Sequence, residues 1–550
     1  MSNKKSAPSL SHQVSRAVIW NTVFVPLRMI SEVAATTLKL TVLPMAAYGL
    51  LALVSGAASA FGTWIDMGTT RALPKFIPET MRARGAFGVL RLLLIVFLAQ
   101  VIVLLGIAVT LAWQQQSYLD SLAARVREDT RIDQAAQTLL QSIIESQGWM
   151  FIAVIVVMLV MGVCYDMLMA YLNSFFKQRA WNGIALLAGL LPQLLAAIAI
   201  VAAQFSTEPL RWSVVGILVT AAMAPSFAVC IALWHVVSIW REGADTPINE
   251  PPRATSQWLP EGFLKYSGVS YLMTMTDFIA SKGFAVYLTS SISDAALLWA
   301  GASLVGMVLS YLYTPLVGIT VPLFTRVRSG EGGTIQGAYR SIVRIQLFLL
   351  VPGGIALMLL AAPALRILTP QYQDAVYIVY VLVPCLFIES LLTMAHNVLI
   401  VYEKLTIVTI GRLLTLVVIP LGFLFSPMYG VVGLALAYGL ARVIAGIWAT
   451  AWGWRIIHLE WPWRFTLRVL GASTIMACGI YGATLLMPPL EGTTGIWERL
   501  ALLPGYGVIA LVNALLFLVM LRVFGGLEVS DREQLLRINL PFKRYLMKVL

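Results

Sequence analysis

Arg28 and Glu32 stand four residues apart inside an apolar stretch, 17–43, that includes Val18, Ile19, Trp20, Val23, Phe24, Val25, Leu27 and Ile30. At i and i+4 the two share one face of a helix, where opposite charges meet. Asn21 and Lys39 fall close to the same stripe, one on either side. A charge at mid-bilayer depth costs roughly 2.5–3.5 kcal/mol on insertion scales, so such a residue faces protein or water and marks a pathway. Two roles are open to Arg28. It can contact an anionic substrate, for which its planar fork suits phosphate, or it can form an internal ion pair with Glu32. A second stretch, 263–290, places Tyr266, Ser270, Thr274, Asp277 and Ser281 on one helical face, with Lys282 flanking it. Lys282 can meet substrate, snorkel, or pair with Asp277. Glu32 and Asp277 can partner the cations or, alternatively, titrate or bind a coupling cation such as H+ or Na+. The candidate substrate-binding set is therefore Arg28, Glu32, Asn21, Asp277, Lys282, Ser270 and Thr274, with no metal site and no bound cofactor expected.

The elements that position these residues follow from composition. The chain has 550 residues, 59% of them hydrophobic and 12% charged, with a mean hydropathy of +0.83. That excludes a soluble globular protein and implies helices whose backbone hydrogen bonds close internally. About fourteen spans are expected by hydropathy, near 17–43, 45–70, 86–113, 148–172, 180–203, 212–240, 263–290, 296–324, 341–362, 374–401, 405–426, 429–454, 466–487 and 500–522. With both termini placed in the cytoplasm, Lys and Arg concentrate on alternate loops, which orients the chain in a plasma (inner) membrane. The net charge of +12 is read as this anchoring excess, and no nucleic-acid partner is expected. The polar, basic start, Met1 to Arg16, reads as a retained tail. Cys164, Cys230, Cys385 and Cys478 all lie in apolar spans with no CxxC pair, which excludes a disulfide framework. A Walker loop and an HExxH motif are both missing, so the chain is not expected to be an enzyme.

The chain repeats itself weakly. Pro74-Lys75-Phe76 closes the second span and Pro322-Leu323-Phe324 the eighth; Val214-Val215-Gly216 in the sixth matches Val431-Val432-Gly433 in the twelfth. Two six-helix halves in the same orientation follow, and parallel repeats place a substrate site at their interface. The expected domains are a lobe over 1–240, a Pro-rich cytoplasmic linker 241–262, a second lobe over 263–455, two additional helices over 456–524, and a basic amphipathic tail 525–550 on the inner surface. The outer loop 114–148 reads as amphipathic helix outside the membrane.

A polar first helix is followed by Asp66-Met67-Gly68, Arg71, Pro74 and Pro78-Glu79; helix 12 opens Gly430-Val431-Val432-Gly433-Leu434-Ala435, and the basic end runs Asp531-Arg532-Glu533 to Pro541. On a fourteen-span plan this order resembles the polysaccharide transporter branch of the multidrug/oligolipidyl-lipid/polysaccharide exporter superfamily. The resemblance implies an all-α polytopic fold, two six-helix lobes around a V-shaped cavity plus two C-terminal helices. It implies a flippase that moves lipid-linked oligosaccharide of the undecaprenyl-pyrophosphate type from inner to outer leaflet by alternating access, for surface polysaccharide synthesis. Membrane lipids and glycan polymerases or glycosyltransferases are the implied partners. Arg28, and after it Lys282, match the family's cationic cavity positions, and the acids Glu32 and Asp277 beside them depart from a simple anion trap. The rival readings are a cation-coupled multidrug exporter of the same superfamily and a non-transporting scaffold of glycan assembly.

Overall fold

The structure is a computed structural model, and it describes residues 31–174, 178–244, 259–313, 334–488 and 496–526, together with Thr320, Phe324, Val327 and Arg328. The described residues are helical, without strands. Eleven of their helices are long and apolar enough to cross a membrane. The span expected at 17–43 is described only from residue 31, where helix α1 covers 31–42. It is followed by α2 (Met45–Asp66), α3 (Thr69–Trp113), α4 (Gln115–Glu128), α5 (Gln134–Ser174), α6 (Gln178–Ala203), α7 (Pro209–Ala244), α8 (Phe263–Ile279), α9 (Lys282–Tyr287) and α10 (Ile292–Tyr313).

Backbone contacts divide the chain into two compact units, Leu27–Trp299 and a second that takes in Ala300–Leu550. Helices α8 and α9 pack along α2 and α3 of the first unit.

In the first unit, α3 is two helices joined at Gly85, where the backbone leaves helical geometry. The first piece folds back on the second, so Gly88 lies against Thr80 and Arg84, and the Gln100 amide donates to Thr69 Oγ1 at 2.8 Å. Ala72, Leu73, Phe76 and Ile77 from one arm and Val89, Leu92, Leu93 and Val96 from the other form one buried core with Ala170, Tyr171 and Phe263. The loop expected outside the membrane is indeed α4 and the start of α5, a helical hairpin that buries Leu119, Leu122, Val126, Leu140 and Ile143.

The second unit contains α11 (Ile335–Leu368), α12 (Ala375–Val401), α13 (Leu405–Leu413), α14 (Val418–Ile457), α15 (Trp463–Leu485) and α16 (Leu503–Val523). The expected spans at 405–426 and 429–454 emerge as an antiparallel pair that reverses at Gly430, whose φ of 57° favours glycine. Trp448 Nε1 donates to the Ile407 carbonyl at 3.1 Å, and Gly433 lies flat against Phe425. Its counterpart in the proposed repeat, Gly216, lies against Ala199 of the preceding helix. Both glycines therefore close a helical hairpin in their own unit.

Candidate functional site

One antiparallel contact in the first unit brings Arg71 and Lys75 against α8 and its Asp277. The chain 45–84 runs against 263–292 in constant register: Gly49 faces Ile292, Gly56 faces Gly283, Gly68 faces Tyr271, and Phe76 faces Phe263 with ring centroids 5.3 Å apart. Small residues recur along this line because glycine lets two backbones approach where a side chain would hold them apart. The Tyr287 hydroxyl completes the seam by donating to the Leu53 carbonyl.

The motif Asp66-Met67-Gly68 is the bend in this seam. Met67 and Gly68 adopt left-handed φ of 51° and 73°, and a Cβ on Gly68 would collide with the Ser267 carbonyl and the Tyr271 nitrogen. Ser267 Oγ donates to the Met67 carbonyl at 2.7 Å. Asp66 then opens α3: one of its carboxylate oxygens accepts from the Thr70 N–H at 3.0 Å and from the Thr70 hydroxyl. A carboxylate at a helix start satisfies orphan N–H groups and suits the dipole.

This bend aims Arg71 at α8. Its guanidinium pairs with Asp277 at 2.9 Å, the side chains 44% and 30% exposed. One turn on, Lys75 Nζ lies 4.7 Å from the Tyr266 ring centroid and 5.1 Å from that of Phe76. Beyond Asp277, the expected span 263–290 breaks into α8 and α9 at Ala280 and Ser281. The Ser281 side chain caps α9 by accepting from the Phe284 N–H. Lys282 emerges at this break. Its ammonium lies 4.3 Å from the Trp299 ring centroid, a cation–π geometry. Lys39 on α1 donates to Gln193 Oε1 of α6 at 2.8 Å.

Of the residues expected from sequence, Asp277 and Lys282 lie on the 263–292 side of this seam, Glu32 lies on α1, and Arg28 and Asn21 lie outside the described residues. Ser270 is buried beneath the Gly68 turn, and the Thr274 hydroxyl donates to the Ser270 carbonyl of its own helix at 2.9 Å. Sequence reasoning assigned Arg71 and Lys75 to loop anchoring and passed over Trp299. The signal for Arg71 was its place just after a Met-Gly bend, which turns its side chain back toward the span.

In the second unit, Arg442 pairs with Glu389 at 3.2 Å and its guanidinium lies 5.7 Å from the Tyr438 ring centroid. Thr393 donates to the Glu389 carbonyl at 2.8 Å. The pair bridges α12 and α14. No group of three or more His, Cys, Asp or Glu among the described residues could hold a metal ion. The arrangement places cations, hydroxyls and aromatic faces along one seam.

No family model matches the chain, and no curated protein matches it in sequence. Solved structures do match it. The chain is similar to a lipid II flippase, MurJ, in an inward closed conformation, with a TM-score of 0.58 at 14% identity over 91% of this chain and 98% of that one. It is also similar to an inward-facing multidrug resistance MATE family transporter of the MOP superfamily, with a TM-score of 0.54 at 15% identity over 80% of this chain and 98% of that one. At this identity the likeness is one of fold: the chain shares the helical architecture of these two proteins.

Proposed function

We propose that this membrane protein is a flippase for lipid-linked oligosaccharide, working by alternating access in a plasma membrane. A charged, sugar-bearing headgroup needs a wet route across about 30 Å of hydrocarbon, while its prenyl tail can stay in lipid. The observation that carries the reading is the broken helix α8–α9, which presents Lys282 on the Trp299 ring face and holds Asp277 to Arg71. Discontinuous helices with charge at the break are how transporters bind polar cargo at the bilayer midplane. In this reading Lys282 and Arg28 meet the phosphates, Trp299 and neighbouring hydroxyls meet the sugars, and Glu32 and Asp277 hold the cations in place until cargo arrives.

The test is reconstitution into vesicles with a fluorescent undecaprenyl-pyrophosphate oligosaccharide whose outer-leaflet share is read by a membrane-impermeant quencher. Removing one charge-assisted contact should slow flipping about tenfold or more in Lys282→Ala, with Lys282→Arg retaining most of the rate. Equal rates in Lys282→Ala and the unmodified protein would sink the reading. The same vesicles loaded with a cationic dye test the exporter alternative, which the acids Glu32 and Asp277 favour: dye efflux that depends on Glu32, with no oligosaccharide flipping, would replace this proposal. Oligosaccharide flipping without any other protein would likewise exclude a mere scaffold for glycosyltransferases.

A further inference from the structure

The tip of the outer hairpin, residues 125–131, closes two helix ends at once. Tyr287 ends α9, and the last carbonyls of a helix have no partner within it. The Arg125 guanidinium donates to the Tyr287 carbonyl and to the Thr289 carbonyl just beyond, each at 3.2 Å. Helix α10 begins at Ile292, and its first N–H groups are likewise without partners in the helix. Asp129 accepts from the Ser293 N–H at 2.7 Å. That is the role of a capping carboxylate at a helix start, where the dipole also favours negative charge. Arg131 pairs with Asp294 of the same first turn at 2.8 Å. One short segment thus brings a cation to free carbonyls and an anion to free amides.

The tip is shaped for this task. Asp129 is buried; its other carboxylate oxygen accepts from the Arg131 N–H at 3.1 Å, and its carbonyl accepts from Gln137 Nε2 at 2.9 Å. The gripped turn also has caps of its own. The Asp294 N–H donates to Ser291 Oγ at 3.0 Å, and Thr289 Oγ1 donates to the Val286 carbonyl at 2.7 Å. What the hairpin adds is position. The turn joins α9, which opens with Lys282, to α10, which carries Trp299, and these two make the cation–π contact of the candidate site. The Arg131 side chain is 57% exposed, so water screens its ion pair and the pair parts at little cost.

We propose that segment 125–131 is a releasable strap. Engaged, it fixes the turn that holds Lys282 to Trp299; released, it frees that turn, and cargo passes only through the released state. The inference rests on the flippase reading of the Lys282 site. A cap supplied by a distant segment can be withdrawn while the helix it capped stays folded on its local caps, which gives the turn two discrete states. A rigid brace, by contrast, would keep these contacts throughout the cycle.

The test is a reversible clamp. Arg131→Cys/Asp294→Cys, with Cys164, Cys230, Cys385 and Cys478 replaced by alanine, is bridged by a short bis-methanethiosulfonate and reopened with reductant. In the oligosaccharide-flipping vesicles the closed clamp should slow flipping about tenfold or more, and reductant should restore it. Full-rate flipping with the clamp closed would overturn the proposal. Hydrogen–deuterium exchange across 288–294 reads the grip without cargo. Loss of a capping side chain is worth about fivefold, so Asp129→Ala should speed exchange there by that factor, while Asp129→Asn, which still caps, should not. Unchanged exchange in Asp129→Ala would overturn the proposal as well. If the unmodified protein flips no oligosaccharide, the flippase reading falls by itself, and efflux of the cationic dye under the same clamp decides on the strap. A protein that moves neither cargo has no cycle to gate, and the strap falls with it. Should the cysteine variant fail to fold, exchange in the unmodified protein decides: it must rise across 288–294 during cargo turnover, and constant protection counts against release.

Discussion

Asp277 is a carboxylate on a helix that is otherwise mostly apolar, and the cation that answers it comes from a residue the topology assigns to a loop. Arg71 reaches it because the helix carrying Arg71 starts from a left-handed bend, and side chains on a helix lean toward its N-terminus. With 44% and 30% of the two side chains exposed, the pair is screened, and its coupling should be on the order of 1 kcal/mol. We expect Arg71→Ala and Asp277→Ala each to lower stability in detergent, and the double variant to lose less than their sum by about that amount. Strict additivity in a denaturant-unfolding cycle would show that the two do not act on each other. At this scale the sequence identified the charged residues but not all of their partners. Asp277 was legible because an acid on an apolar helical face is conspicuous. Arg71 was not, because an arginine at a span boundary has an adequate explanation as an anchor.

Helix–helix seams depend on where side chains are missing. Gly68 is needed twice over, for its φ of 73° and for the space it leaves to Ser267 and Tyr271. Gly68→Ala should cost more than about 2 kcal/mol, the left-handed penalty of roughly 1–2 kcal/mol together with the clash. Gly106 is the internal control, a helical glycine on α3 with nothing within 4 Å of a Cβ. Gly106→Ala should be neutral or stabilise by up to about 1 kcal/mol. Thermal unfolding of the two variants in one detergent measures the contrast, and similar midpoints would remove Gly68 from its role. The outer hairpin supports the same seam from its far end. Arg125 donates to the carbonyls of Tyr287 and Thr289, each at 3.2 Å. Asp129 accepts from the Ser293 N–H at 2.7 Å, and Arg131 pairs with Asp294 at 2.8 Å. The loop was legible as amphipathic helix from its apolar spacing. Its grip on the α9–α10 turn was not, because these partners lie far apart in sequence and nothing local ties them.

For the whole molecule, the proposed pyrophosphate-linked cargo has an electrical consequence. Moving a pyrophosphate headgroup outward down an inside-negative potential gains about 2.3 kcal/mol per charge per 100 mV. A valinomycin-imposed potential in the flipping assay should therefore accelerate appearance of the labelled headgroup in the outer leaflet. A rate indifferent to potential would show that no net charge crosses.

Hydropathy and the alternation of basic loops determined, from sequence alone, that the chain is a polytopic helical membrane protein and where nearly all its spans lie. Those properties are local: twenty apolar residues are enough to define a span, whatever surrounds it. The tertiary structure decided what no window of sequence contains. It broke the span 263–290 into two helices at Ser281 and gathered α8 and α9 onto α2. It also joined Arg71 to Asp277 and Lys282 to Trp299. Each of these depends on close packing between distant segments, set by glycines at particular registers, and packing has no signature in the composition of either partner.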